Sequence, residues 1–216
     1  MRVSVVIPAL NEEPTIASVV AGALRHADEV IVVDDGSTDH TARRALEAGA
    51  RVIRHPRNMG VLRALKTGFR AARGDVVITM GADGQHDPAD IPRLLRPILA
   101  GKADLVLGVR AELPHFSERF IRAMTNLAIR CSDASTGFFA VRKSLITKMR
   151  LWGTCLCGTL VLEAHGLGAR IAEVPIKVRP RLYGRRRIRT RHVIQAFFVL
   201  LELALTWLRK TSGQAG

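Results

Sequence analysis

The sequence predicts an α/β protein built on a mostly parallel sheet with helices on both faces, and three observations predict it. Short apolar, β-branched runs alternate with stretches whose apolar residues recur at helical spacing. Three of these runs end in polar clusters, at Asn11–Glu12, Asp34–Asp35 and Asp83–Gln85. Open parallel sheets take ligands at the carboxyl ends of their strands, so three clusters on one rim describe a site better than three unrelated turns do. No Gly-x-Gly-x-x-Gly follows the first strand and no Gly-Lys-Ser/Thr loop occurs. That counts against a dinucleotide enzyme and a P-loop phosphate hydrolase.

The first strand is Val3 to Pro8, and Asn11-Glu12-Glu13 then sets acids at the positive end of a helix over about Thr15–His26. Ile16, Val19, Val20 and Leu24 give that helix its buried stripe. Glu29–Val33 is the second strand. It runs into Asp34-Asp35-Gly36-Ser37-Thr38-Asp39, where Ser37, Thr38 or Asp39 can cap the next helix. A third strand, Arg51–Arg54, leads through Asn58-Met59-Gly60 to a helix over about Leu62–Ala72. The strand from Val76 then delivers Gly81-Ala82-Asp83-Gly84-Gln85-His86-Asp87-Pro88. Pro88 suits a helix start, because a first-turn proline forfeits no helical hydrogen bond. Oxygen donors at a strand end suit Mg²⁺ or Mn²⁺, the usual bridge to nucleotide phosphates. Ala103–Val109 is a further strand, closing in Gly108-Val109-Arg110, and a polar helix with Arg119, Arg122 and Arg130 follows. The loop Ser132–Gly137 enters another strand, Glu163 falls on a helix, and Ile171–Ile176 is the last strand.

At 216 residues, 48% hydrophobic and 24% charged, the chain is long enough and apolar enough for one domain with a real core, with or without an appendage. Its net charge of +14 points to a polyanionic partner: nucleic acid, anionic lipid or phosphorylated substrates. Aromatic content of 5% and the absence of a nucleic-acid motif weigh against nucleic acid. Cys131, Cys155 and Cys157 make no disulfide framework, which suits a reducing compartment, and Cys-x-Cys alone falls short of a zinc site. Arg2 followed by a short strand and then polar residues predicts no signal peptide, and hence a cytoplasmic location. The histidines at 26, 40, 55, 115, 165 and 192 carry no visible chemistry and are expected mostly at the surface.

The tail is unusual. Seven arginines lie between Arg179 and Arg191, and from Val193 to Leu208 only Gln195, Glu202 and Thr206 are polar. Spaced seven and four apart, these three form one narrow helical stripe, extended by His192 and Arg209. The apolar run is shorter than the roughly 17–25 residues that span a bilayer. An amphipathic helix beside a basic segment suits an anionic membrane surface, lying in its plane; packing on the sheet, on a membrane subunit or on a second copy of the chain is the alternative.

Val6-Ile7-Pro8-Ala9-Leu10-Asn11-Glu12-Glu13, Val32-Val33-Asp34-Asp35-Gly36-Ser37-Thr38-Asp39, Asn58-Met59-Gly60, Ala82-Asp83-Gly84-Gln85-His86-Asp87-Pro88 and Ser135-Thr136-Gly137-Phe138 occur in that order. Together they resemble the family 2 glycosyltransferases of the GT-A fold, and within them the polyprenyl-phosphate glycosyltransferases. The resemblance implies a catalytic domain over 1–178, a basic segment and membrane-associating helix over 179–210, and a tail over 211–216. It implies transfer of a hexose from a GDP- or UDP-sugar to polyprenyl or dolichyl phosphate at the cytoplasmic face of a membrane. Pro8, Leu10 and Glu12 would line the nucleotide pocket, Asp35 would bond the base, and Ala82 would approach the nucleoside through its backbone. Asp83 and Gln85 would hold a divalent cation against the diphosphate, and Arg110 would face phosphate oxygens. Asp133 and Ser135 would serve the acceptor, and Arg181 or Arg185 would clamp phosphates late in the chain.

Two positions depart from the family pattern. The first Asp of its usual Asp-Ala-Asp is here Gly81, and a common Lys after Asn-x-Gly is here Val61. Gly81 therefore keeps a second reading in view, a nucleotide-binding relative without catalysis, beside a third in which the acceptor is a soluble molecule or a glycan.

Overall fold

A computed structural model describes residues 1–113, 115–180 and 189–212. Arg181 and Arg185 lie outside the described residues. Seven strands form one sheet: β1 (Val3–Ala9), β2 (Glu29–Asp34), β3 (Arg51–Arg54), β4 (Val76–Thr79), β5 (Leu105–Arg110), β6 (Phe139–Arg142) and β7 (Ile171–Ile176). Their order is β3-β2-β1-β4-β6-β5-β7. All neighbours run parallel except β6, which is antiparallel to both β4 and β5. The helices are α1 (Glu13–Leu24), α2 (Thr41–Glu47), α3 (Val61–Ala71), α4 (Ile91–Leu99), α5 (Phe116–Thr125), α6 (Lys143–Ile146), α7 (Thr159–Gly166) and α8 (Arg189–Ser212).

Alternation along the strands splits the core into two layers. Val6, Ile31, Val33, Val77, Leu107 and Phe139 face one side, where α3, α5, α7 and α8 pack. Val5, Ile7, Val32, Ile78, Val106 and Ala140 face the other, against α1 and α4. Each such Val, Ile, Leu or Phe side chain withdrawn from water contributes about 1.5–3 kcal/mol. Gly68 lets α3 lie close on β1, since a Cβ there would come within 2.2 Å of Val6 Cγ1.

The reversed strand is what assembles the rim. Because β6 runs against β4 and β5, the loop that precedes it arrives at their carboxyl ends, with Phe139 paired between Thr79 and Leu107. The segment after β7 reaches the same rim: Arg179 N–H donates to Gln85 O at 2.9 Å, and Val178 bridges His86.

Helix α8 is longer than the apolar run, and its stripe faces inward. Gln195, Glu202 and Thr206 are 0%, 0% and 1% exposed, while Phe197 and Trp207 are 64% and 67% exposed. The buried stripe carries specific bonds. Gln195 Oε1 accepts from the N–H groups of Thr154 (2.9 Å) and Cys155 (3.2 Å), and its Nε2 donates to Cys157 O (3.0 Å). Glu202 Oε2 accepts the Trp152 indole N–H at 2.7 Å. So the loop 152–157 supplies polar partners to α8, and the helix turns an apolar face outward. No helix among the described residues is long and apolar enough to cross a membrane.

Candidate active site

A cavity of about 810 Å³ opens at the carboxyl rim, and Asp83, Gln85, His86, Arg110, Ser135 and Lys177 are among its walls. Four residues singled out from the sequence therefore meet: Asp83 and Gln85 after β4, Arg110 at the end of β5, and Ser135 before β6. Asp83 Oδ1 accepts the Gln85 N–H at 3.2 Å, and the Gln85 amide donates to Arg179 O at 3.2 Å. Arg179 also pairs with Asp87, so the start of the basic segment straps the 83–87 loop.

Arg110 is held rather than loose. Its Nε and Nη2 donate to the two oxygens of Asp133 at 2.6 and 3.0 Å, and its Nη1 to Glu118 Oε1 at 3.2 Å. Burial alone would lower the guanidinium pKa, but Asp133 and Glu118 outweigh it and push the value up, so the charge is permanent. Asp133 is fully buried and also accepts the Ser135 N–H at 3.0 Å. It orients Arg110 and the loop before β6 without lining the cavity. Glu118 had no signal in the sequence except its phase: it shares a helical face with Ile121 and Thr125, and all three are buried.

The residues expected to hold the nucleotide lie along the neighbouring stretch of rim, on or just after β1 and β2 and in the turn after β4, outside the lining of that cavity. Asn11 and Glu12 are laced to the β2–α2 loop, through Asn11 N–H to Ser37 Oγ (2.9 Å) and Glu12 N–H to Thr41 Oγ1 (2.8 Å). Pro8 and Leu10 are half-buried there, and Ala82 O accepts from Thr15 Oγ1 at 2.8 Å. Asp35 is buried, and its carboxylate accepts the N–H groups of Met59 (2.9 Å) and Gly60 (2.8 Å) and faces His55 Nδ1 at 2.7 Å. His55 is thus a buried, bonded residue. The expectation that the histidines sit mostly at the surface needs correction: His40 and His115 do, while His26 and His165 are half-buried. The signal that could have found His55 is its position one residue past a strand, level with Asp35.

His86 stacks on Phe138 with ring centroids 4.9 Å apart, and its Nδ1 accepts the Gly81 N–H at 2.9 Å, which leaves the proton on Nε2. Burial drives its pKa down to about 4; Asp83 opposes this and Arg110 adds to it. The unfolded histidine, near 6.5, takes up the proton first, so stability is full above that value and falls as pH drops towards 4. The metal-free wild type is expected to lose roughly 2.5 kcal/mol more than His86→Asn between pH 7 and pH 4.5, read from urea unfolding at the two pH values. Asn keeps an acceptor for Gly81 N–H and does not titrate; equal losses would count against a buried neutral histidine.

The donor set suits a divalent cation carried with a diphosphate. Among the described residues no cluster of three or more His, Cys, Asp or Glu forms a closed metal cage. Mg²⁺, however, commonly binds through one or two carboxylates plus substrate phosphates. Asp83 and the Gln85 amide oxygen supply that minimum. A Cβ on Gly81 would lie 3.1 Å from Asp83 Oδ1, so a second carboxylate there would crowd the first.

Comparisons with known proteins identify the family. The chain is 29% identical to a dolichol-phosphate mannosyltransferase of Pyrococcus furiosus, over 90% of this chain but 61% of the relative, less than two thirds of its length. It is 29% identical to a UDP-N-acetylglucosamine–dolichyl-phosphate N-acetylglucosaminyltransferase of Methanococcus voltae, covering 80% of this chain and 83% of the relative. A crystal structure of glucosyl-3-phosphoglycerate synthase from Mycobacterium tuberculosis, in complex with Mg²⁺ and UDP, superposes with a TM-score of 0.78 at 29% identity. It covers 95% of this chain and 79% of that one. The model of the family described as glycosyl transferase family 2 matches residues 4–150, and the chain belongs to that family.

Proposed function

We propose that the protein transfers one hexose from a nucleotide sugar to a polyprenyl phosphate at a membrane surface, with inversion at the anomeric carbon. The lipid half of this reading rests on α8, whose polar stripe is buried and whose outward face carries Ile194, Phe197, Leu200 and Trp207. Helix α5, packed against α8, likewise exposes Phe116 and Phe120. Such faces suit an interfacial helix, and the arginines at 179–191 suit anionic headgroups. Two named relatives act on dolichyl phosphate, which supports the same acceptor class.

A phosphomonoester has its second pKa near 6, so the acceptor oxygen is already nucleophilic at neutral pH and needs no strong base. Its bond to the anomeric carbon forms as the bond from that carbon to the donor diphosphate breaks, and the nucleoside diphosphate leaves. Pro8, Leu10, Glu12, Asp35 and Ala82 would hold the nucleoside, and Asp83 and Gln85 a Mg²⁺ or Mn²⁺ against the diphosphate. That cation, when bound, offsets charge on the leaving group. Arg110, fixed by Asp133 and Glu118, presents a permanent positive charge to the same oxygens. Ser135 would serve the acceptor, and Arg181 or Arg185, outside the described residues, would add a further phosphate contact.

The structural neighbour favours a second reading, in which the acceptor is a soluble phosphorylated molecule. The test is transfer from labelled GDP-mannose and UDP-glucose, with Mg²⁺ or Mn²⁺, to polyprenyl phosphate or to phosphoglycerate. A lipid-extractable product supports the first reading, a water-soluble one the second, and no product with intact nucleotide binding would leave a binding protein. The membrane surface has its own expected result. Phe197→Glu with Trp207→Glu lowers flotation with phosphatidylglycerol vesicles about tenfold or more, since two charges replace two exposed rings that would enter the lipid interface.

A further inference from the structure

A second cavity, about 780 Å³, lies on the other flank of α3 from the active site. Val61 and Leu65 face the catalytic cavity, whereas Arg63, Lys66 and Arg70 line this one. Spaced three and four apart, the three cations share one helical face. No carboxylate is among the cavity's walls, and none of the three has an ion pair among the described residues.

The opposite wall, Leu151–Thr154, is fixed in an uncommon conformation. Leu151 has φ of 51° and Gly153 of 106°, and for a branched residue like Leu151 the left-handed region is costly. Three buried side chains hold it there. Glu163 accepts the Leu151 N–H at 3.2 Å, Glu202 accepts the Trp152 indole N–H, and Gln195 accepts the Thr154 N–H. At the floor His55 Nε2 meets Thr67 Oγ1 at 3.0 Å, while its Nδ1 meets Asp35 Oδ1 at 2.7 Å. A rigid wall facing three unpaired cations is what a multivalent oxyanion needs.

We infer that this cavity binds a phosphate-bearing anion, separately from the donor diphosphate. The anion is either a free phosphate compound or an anionic lipid headgroup, for the wall is continuous with α8. None of its three cations lines the catalytic cavity or belongs to the residues expected to hold the nucleotide, although His55, Met59 and Gly60 in its wall bond Asp35.

Trp152 in the wall is the reporter. In full-length Trp207→Phe protein it is the sole tryptophan, and its fluorescence is followed against inorganic pyrophosphate, and separately against phosphatidylglycerol and neutral phosphatidylcholine vesicles. The comparison variant adds Arg63→Gln, Lys66→Gln and Arg70→Gln, all on a helix surface, with folding checked by circular dichroism; Asp83→Asn serves as the donor-site control. A response to pyrophosphate that weakens at least tenfold in the triple variant, but not in Asp83→Asn, supports a small-anion site. A response confined to phosphatidylglycerol vesicles and weakened by the triple variant supports a headgroup site. No response to either probe, or one that the triple variant leaves unchanged, overturns the inference.

Discussion

Asp83→Asn should lower sugar transfer by about 10²–10³-fold or more while leaving the fold intact. The substitution keeps the shape and the acceptor for the Gln85 N–H, so stability should change by less than about 1 kcal/mol. What it removes is the one carboxylate of this loop that lines the cavity, since Asp87 is paired with Arg179 and position 81 is glycine. With the charge gone, only the Gln85 amide oxygen and the substrate's own phosphates remain to hold a hard cation, and stabilisation of the leaving diphosphate falls accordingly. Initial rates at saturating Mn²⁺ and lipid acceptor, beside a thermal melt, give the answer. A rate within threefold of wild type would mean that Asp83 does not hold the cation.

Arg110→Ala should cost about 3–5 kcal/mol of stability, because it strands two buried carboxylates, Asp133 and Glu118, without their counter-charge. The loss follows from uncompensated burial rather than from the worth of the pair. The triple variant Arg110→Met, Asp133→Asn, Glu118→Gln should therefore recover much of it while staying inactive. Urea unfolding of the two variants tests this, and a loss below about 1 kcal/mol in Arg110→Ala would show that the carboxylates find other partners. Arg110→Lys separates charge from shape: a point charge cannot span both Asp133 oxygens, so activity should fall further than stability.

The order of elements was legible because each parallel strand writes a short β-branched run, and the limits of β3 and β7 could be read directly from Arg51–Arg54 and Ile171–Ile176. The direction of β6 was not, since Phe139–Arg142 has the same local pattern whichever way it runs; only its two partners decide. The carboxylates after β4 could be seen as a site because they follow a strand. Asp35 also follows one, yet its carboxylate is engaged by Met59, Gly60 and His55, contacts made across 20 to 25 residues of sequence. Helix α8 showed its stripe in the spacing of Gln195, Glu202 and Thr206 but not which way the stripe turns. Periodicity fixes a face relative to the helix, and the polar partners supplied by residues 152–157 draw that face inward.

That inward stripe makes α8 a poor candidate for removal. An experimenter troubled by its greasy exterior would be tempted to cut the chain before residue 189 and work with what is left. The cut would take Gln195 and Glu202 with it, leaving the donors of Trp152, Thr154 and Cys155 to find water in a loop that lines both cavities. Solubility and an ordered site therefore pull against each other within a single helix, and a mild amphiphile is a better remedy than a shorter protein.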